Sequence, residues 1–422
     1  MSSNKMIQRN VNEEVQDAEV ISSIDYRDAE IVGDGGLLSQ SNNGESPPSS
    51  SAIRTSIIFR VLHFVAASTN WVFGFCSMIV SLAVLATIPI LQFLSLGYLL
   101  EASGRIARTG RIRDGFIGID RFARVGSIVL GTTLALMPVW FVSSLTNSSI
   151  IINGPSQESR FMGSVFVLTS LAAVGHIVWA WFRGGRLRSF FWPAPIRLIK
   201  QLKRGGWVAE ARDATCEFVE GLRLPYFFML GIRGFAGALV WLFVPVTLLA
   251  IGTIDAQPIG GLIGFVGSLA TAFVVLHLPF VQARFAINND MSEFFRLSGV
   301  RSDFRRAPVA FWMALFCTLL FALPLYLLKA ELIPREAAWL PSLVFVVFMY
   351  PSRLITGWAI SRAQRRDTPR HVVFRWSSRL AAMPVVAFYV GFVFFTQYVS
   401  WYGRWSLYEQ HAFLLPVPFL GM

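Results

Sequence analysis

The sequence predicts an all-α, polytopic membrane protein with eight transmembrane helices behind a disordered N-terminal tail. Three observations carry that expectation. The 422 residues are 54% hydrophobic and only 15% charged, with 37 Phe and 13 Trp, which is too apolar for a water-soluble chain of this length. Apolar runs of about 20 residues, the length that spans a hydrocarbon core ~30 Å thick as a helix, recur along the chain. Basic residues gather in alternate connections, as they do when Lys and Arg are retained on the cytoplasmic side during insertion.

Residues 1–50 hold nine acids against three bases, nine serines and one aromatic, Tyr26. Such a segment cannot bury enough surface to repay ordering, so a disordered, acidic, Ser-rich tail is expected. It lacks the charged start and following apolar stretch of a signal peptide, and no cleaved export signal is expected. The rest of the chain, 51–422, is one helical transmembrane domain. From Ile57 to Leu100 the only ionised residue is Arg60, and Ser68, Thr69 and Asn70 form the one polar break. The favoured reading is an interfacial helix over about 53–67, then a single long span from Trp71 to Leu100 kinked at Pro89. A tight hairpin of two crossings within 57–100 stays open beside it, and would make nine spans.

Seven further spans are expected at about 125–145, 161–182, 232–252, 259–280, 308–328, 338–360 and 380–402. The connection at 101–124 carries six Arg against three acids, 183–223 nine bases against four acids, 281–306 five against three, and 361–379 six against one. The alternate connections at 146–160, 253–258 and 329–337, with the tail after 403, together hold four bases and five acids. The four basic connections are therefore expected in the cytoplasm and the C-terminus outside. Trp140, Trp339, Trp401 and Trp405 fall at the outer ends and Trp179, Trp181, Trp312, Trp358 and Trp376 at the inner ends, as interfacial anchors do. Trp241 lies mid-span.

Prolines and small residues suggest how the helices pack. Pro89 with Gln92, Pro279 with Gln282 and Arg284, and Pro351 with Arg353 mark three helices that enter the cytoplasmic end; Pro138, Pro245 and Pro324 mark three that leave it. The pattern suits helical hairpins repeated in parallel orientation, against a plain tolerance of Pro in membrane helices. In the span 259–280, Gly260, Gly264, Ser268 and Ala272 recur every four residues and form a small-residue face for close helix packing. Gly231, Gly234 and Gly237 of the preceding span are its candidate partner.

The connection at 193–222 is expected to hold cytoplasmic amphipathic helices. In the first, Ile196, Ile199 and Leu202 alternate with Arg197, Lys200, Lys203 and Arg204 before Gly205-Gly206, a basic helix suited to anionic lipid head groups at about 1 kcal/mol per charge. The second, from about Trp207 to Leu222, carries Glu210, Asp213, Glu217 and Glu220 on one stripe and is read as a solvated face.

The chemistry is sparse. No GxxxxGK, HExxH, GxSxG or EF-hand pattern occurs, and Cys76, Cys216 and Cys317 are widely spaced, so no catalytic, cofactor-binding or metal-ligating residue and no cofactor is assigned. The net charge of +12 is accounted for by topology, and nucleic acid is not expected as a partner. None of the proposed spans has an Asp or Glu in its interior, which disfavours proton-driven pumping. His176, His277, Gln92 and Arg233 remain inside the bilayer. The histidines are read as hydrogen-bonded interfacial residues. Arg233 is the candidate polar or lipid contact: deep if its span starts at Pro225, snorkelling to the inner interface if it starts at 232.

Two stretches, IPILQFLSLGYLLEASGRIARTGRIRDGF from Ile88 to Phe116 and ARFAINNDMSEFFRLSGVRSDFRRAP from Ala283 to Pro308, resemble a family of uncharacterised bacterial polytopic membrane proteins built from repeated helical bundles. The resemblance covers about 55 residues and implies a bacterial inner-membrane protein, with no activity or catalytic residue to carry over. The leading expectation is a non-enzymatic scaffold or assembly partner, paired with another membrane protein or a second copy of itself. The alternative is a small-solute or lipid transporter using a polar cavity near Arg233.

Overall fold

The computed structural model describes residues 50–192, 194, 206–252, 258–327, 339–400, 403 and 407. The expected acidic tail before Ser50 and the basic residues Arg197, Lys200, Lys203 and Arg204 lie outside the described residues. The chain divides into two units, Met1–Leu62 and His63–Met422, the first entering the description only as the beginning of helix α1. Among the described residues all regular structure is helical.

The helices are α1 (Ser50–Thr87), α2 (Gln92–Thr109), α3 (Ile119–Asn153), α4 (Gln157–Phe182), the short α5 (Leu187–Phe191), α6 (Trp207–Gly221), α7 (Leu224–Gly252), α8 (Pro258–Asn288), α9 (Leu297–Arg306), α10 (Pro308–Leu327), α11 (Trp339–Gln364) and α12 (Val372–Val399). Single 3-10 turns at Ile112–Gly115 and Met291–Phe295 follow α2 and α8. Eight helical segments are long and apolar enough to cross a membrane, the number expected, and the architecture is that of a multi-pass membrane protein. Pro138, Pro245, Pro279, Pro324 and Pro351 all sit inside helices, where neighbouring helices can compensate the lost N–H.

The first expected span is corrected in two ways. Ser68, Thr69 and Asn70 do not break α1; the Thr69 hydroxyl donates to the Val65 carbonyl at 2.8 Å, so the helix absorbs its own polar side chain. Pro89 does not kink one long helix but ends it. The Ser95 hydroxyl donates to the Leu82 carbonyl at 2.6 Å, and the Tyr98 hydroxyl lies 2.8 Å from the Met78 sulfur. Along one helix those pairs would stand roughly 20 and 30 Å apart at about 1.5 Å per residue. The chain therefore reverses at 88–91, with Ile90 at φ 73°, and α2 runs back along α1. Trp71 of α1 meets the Phe116 ring, just beyond α2, at 5.4 Å, so both arms open at the arginine-rich end. Phe93 lies against Gly231, and α7 runs on from there to Gly252, about 30 Å farther.

Helix α2 is the centre of the bundle. Residues 101–109, expected as the start of a charged loop, continue it, and its buried residues occupy every side of the helix, from Gln92 to Ala107. It is clasped by α7, α8 and α11. The closest approach is to α7: a Cβ on Gly97 would stand 1.8 Å from the Phe227 carbonyl oxygen, and one on Gly231 would stand 1.9 Å from that of Phe93. On its other sides Gly104 faces the Ala286 carbonyl of α8, and Gly357 of α11 faces that of Ser103. Helices α2 and α8 both run antiparallel to α7, since Gly252 and Leu249 of α7 meet Gly264 and Gly267 of α8 in that order. Gly110 at the end of α2 faces Ser361 and Arg365 of α11, so the three helices singled out by the proline-and-polar pattern are parallel and pack side by side.

The small-residue face of α8 has a different partner from the one expected. Gly231, Gly234 and Gly237 pack against Phe93, Leu100 and Phe294. The α8 face instead meets the end of α7, where a Cβ on Gly252 would stand 2.3 Å from the Gly264 Cα. Gly260 and Gly264 are buried there, whereas Ser268 and Ala272 are half-buried and turn towards α12.

Candidate functional site

Two ionic clusters lie at the arginine-rich end of the bundle, and both come from the stretches that carry the family resemblance. The first is built on α2. Glu101, Arg105 and Arg108 follow helical spacing and share one face. Glu101 is 3% exposed; its Oε1 accepts from Arg105 Nε at 3.0 Å and Arg108 Nη2 at 2.8 Å, and its Oε2 accepts from the Tyr226 hydroxyl of α7 at 2.7 Å. Arg108 Nη1 also donates to the carbonyls of Ala286 and Ile287 at 3.1 and 3.2 Å. Those carbonyls belong to the last turn of α8, which lacks intrahelical partners and carries the negative end of the helix dipole. Glu101 thus ties α2 to α7, and Arg108 ties it to α8.

The second cluster fastens α8 to the connection that follows it. Arg284 donates from Nε to Glu293 Oε2 at 3.0 Å and from Nη1 to Asp303 Oδ2 at 2.6 Å, and Arg296 Nη1 donates to Glu293 Oε1 at 3.1 Å. Glu293 sits in the 3-10 turn and Asp303 on α9, both buried. Asp290 opens the turn, accepting from the Ser292 N–H at 3.0 Å. Hydrogen bonds from the Ser292 hydroxyl and backbone hold this exposed carboxyl below its ordinary range.

Arg353 of α11 is the exception. It is 2% exposed, and its Nε and Nη2 have no hydrogen-bond partner among the described residues. An uncompensated buried guanidinium is costly, and replacing buried charge by apolar volume is neutral or stabilising by about 1–4 kcal/mol. Arg353→Met is therefore expected to melt at or above the wild-type temperature in detergent; a lower melting temperature would show that something holds the guanidinium in place.

The carboxylates of these clusters are already engaged in holding helices together. All four oxygens of Glu101 and Glu293, and Asp303 Oδ2, already accept a hydrogen bond, and no group of three or more His, Cys, Asp or Glu able to hold a metal occurs among the described residues. His176 Nε2 pairs with the Phe190 carbonyl at 2.7 Å and His277 Nδ1 with that of Phe273 at 2.8 Å. A scan against protein-family models gave no match, and neither did searches of curated proteins and of solved structures. The geometry of this chain therefore carries the functional reading.

The residues singled out in the sequence fall elsewhere. Arg233 lies on an exposed flank of α7, nine residues into that helix, and lines none of the four described grooves. Helix α6 is present and exposed along Asp213, Glu217 and Glu220, with Phe218 held under the Arg124 guanidinium at 5.3 Å. Glu101, Tyr226, Glu293 and Asp303 match no catalytic or binding motif in the sequence. The one sign of them in the sequence is the helical spacing of Glu101, Arg105 and Arg108, set in a charged stretch that predicts a loop.

Proposed function

We propose that the chain is a non-enzymatic scaffold or assembly partner of the bacterial cytoplasmic membrane, with its arginine-rich end in the cytoplasm and its C-terminus outside. The observation that carries this reading is the arm formed by α3 and α4. Of the most apolar window of α3 only 6% is buried, and of α4 0%, against 61% in α11. The two helices pack on each other and on α5, leaving large side chains such as Phe141, Leu168 and Leu171 exposed. On the open face of α4 nothing lies within 4 Å of a Cβ at Gly163 or Gly175, and Gly163 and Ser164 line a shallow groove of ≈ 480 Å³. Small residues on a lipid-facing helix let a second helix approach closely, which suits another membrane protein or a second copy.

The four basic connections support the orientation. Membership of the uncharacterised bacterial family is part of the same proposal, supported by the fact that its two matching stretches supply both ionic clusters. Photo-cross-linkers at Leu168 and Leu171 in native membranes are expected to trap a discrete product, while one at buried Leu99 gives none. No product from α4, together with specific solute flux through the reconstituted protein, would overturn the reading.

A further inference from the structure

We infer that the groove between α8 and α12 binds one anionic phospholipid, its acyl chain along the two helices and its phosphate at Arg301, Arg305 and Arg379. Two adjoining cavities make the groove. One, of ≈ 540 Å³, is lined almost wholly by apolar groups of α8 and α12, among them Phe265, Leu269, Val386 and Phe394. The other, of ≈ 340 Å³, lies between α8, α9, α10 and α12 and is lined by the three arginines with His277, Trp312 and Ser378. They meet at Leu276 and Met383, which line both. From Gly261 to His277 the groove follows α8 for about 24 Å, the reach of an extended fatty acyl chain.

Charge selects the occupant. No acid lines either cavity. The carboxylate of α9, Asp303, is turned away into its bond with Arg284, and Arg301, Arg305 and Arg379 have no ion-pair partner among the described residues. Arg301 and Arg305 are one helical turn apart on α9, and Arg379 is held from α12 by stacking over Phe304 at 5.5 Å and Trp376 at 5.6 Å. The Trp312 indole N–H is buried without an acceptor among the described residues. Guanidinium groups match phosphate oxygens in geometry and charge, and a phosphate here would also leave an acceptor near the indole. The arginine cavity stands at the end where α8 and α12 meet the basic connections, the depth at which a head group lies when its chain enters the bilayer.

The test is lipid binding to the delipidated full chain in detergent, followed by native mass spectrometry. Phosphatidylglycerol is expected to bind at least tenfold more tightly than phosphatidylcholine with the same chains, and inorganic phosphate should not compete at millimolar concentration. The triple variant Arg301→Gln, Arg305→Gln, Arg379→Gln is expected to lose the preference. Gly391→Trp provides an independent arm: Gly391 lines the apolar cavity, nothing lies within 4 Å of a Cβ there, and the indole should fill the chain's path and weaken binding of both lipids. Equal binding of the two lipids by the wild type, full preference in the triple variant, unchanged binding in Gly391→Trp, or displacement by phosphate alone would each overturn the inference.

Discussion

Gly97→Ala is expected to abolish the folded protein, although in an ordinary helix the same exchange would stabilise by about 1 kcal/mol. The added methyl would stand 1.8 Å from the Phe227 carbonyl oxygen, and its obstacle is backbone, which no rotamer change can clear. Helices α2 and α7 would have to part, and with them the Tyr226–Glu101 hydrogen bond. The cost should exceed the ~1–3 kcal/mol of ordinary core overpacking, a large share of a typical total stability of ~5–15 kcal/mol. Gly231→Ala, meeting the Phe93 carbonyl at 1.9 Å, should behave alike. Gly163→Ala and Gly175→Ala, with nothing within 4 Å, should be neutral or slightly stabilising. Size-exclusion profiles and melting curves in detergent separate the two pairs; a monodisperse Gly97→Ala protein with wild-type melting would disprove backbone contact between α2 and α7.

Glu101→Gln should be the next most damaging change. It keeps the shape of the side chain but removes the charge and turns an NH₂ donor towards existing donors. Breaking a buried ion pair by removing one partner costs about 3–5 kcal/mol. The lower end applies, because Arg105 and Arg108 keep 33% and 39% of their side-chain surface exposed and recover some hydration. Tyr226→Phe deletes one of the three donors to Glu101 and should cost about 1 kcal/mol. Melting temperatures of the two variants decide the order; equal losses would mean that the carboxylate charge contributes nothing beyond the tyrosine bond.

The later helices were legible because the bilayer imposes their length: an apolar run such as 308–328 has little choice but to become α10, observed at Pro308–Leu327. What failed was local. A proline in an apolar run permits either a kink or a reversal, and the choice at Pro89 rests on Ile90 entering the left-handed region, against its β-branched preference. A single span ending at Leu100 makes Glu101, Arg105 and Arg108 read as loop charges. Glu101 is buried beneath a partner, Tyr226, that lies 125 positions away, and no local periodicity encodes that. Likewise Gly231 looked available to α8, and only the tertiary arrangement shows that α2 occupies it. The exposed α3–α4 arm was equally invisible, since apolar spans look the same from sequence whether they face lipid or protein.

Apart from α1, the walls around α2 are made after it. Helix α7 begins at Leu224, α8 at Pro258 and α11 at Trp339, so at ~5–20 residues per second the nascent chain waits on the order of ten seconds or more before the last wall emerges from the ribosome. Throughout that interval a carboxylate and two guanidiniums need water. A chain released at Gly252 would carry α2 with only one of its three later walls, leaving Glu101 without the enclosure that α8 and α11 complete.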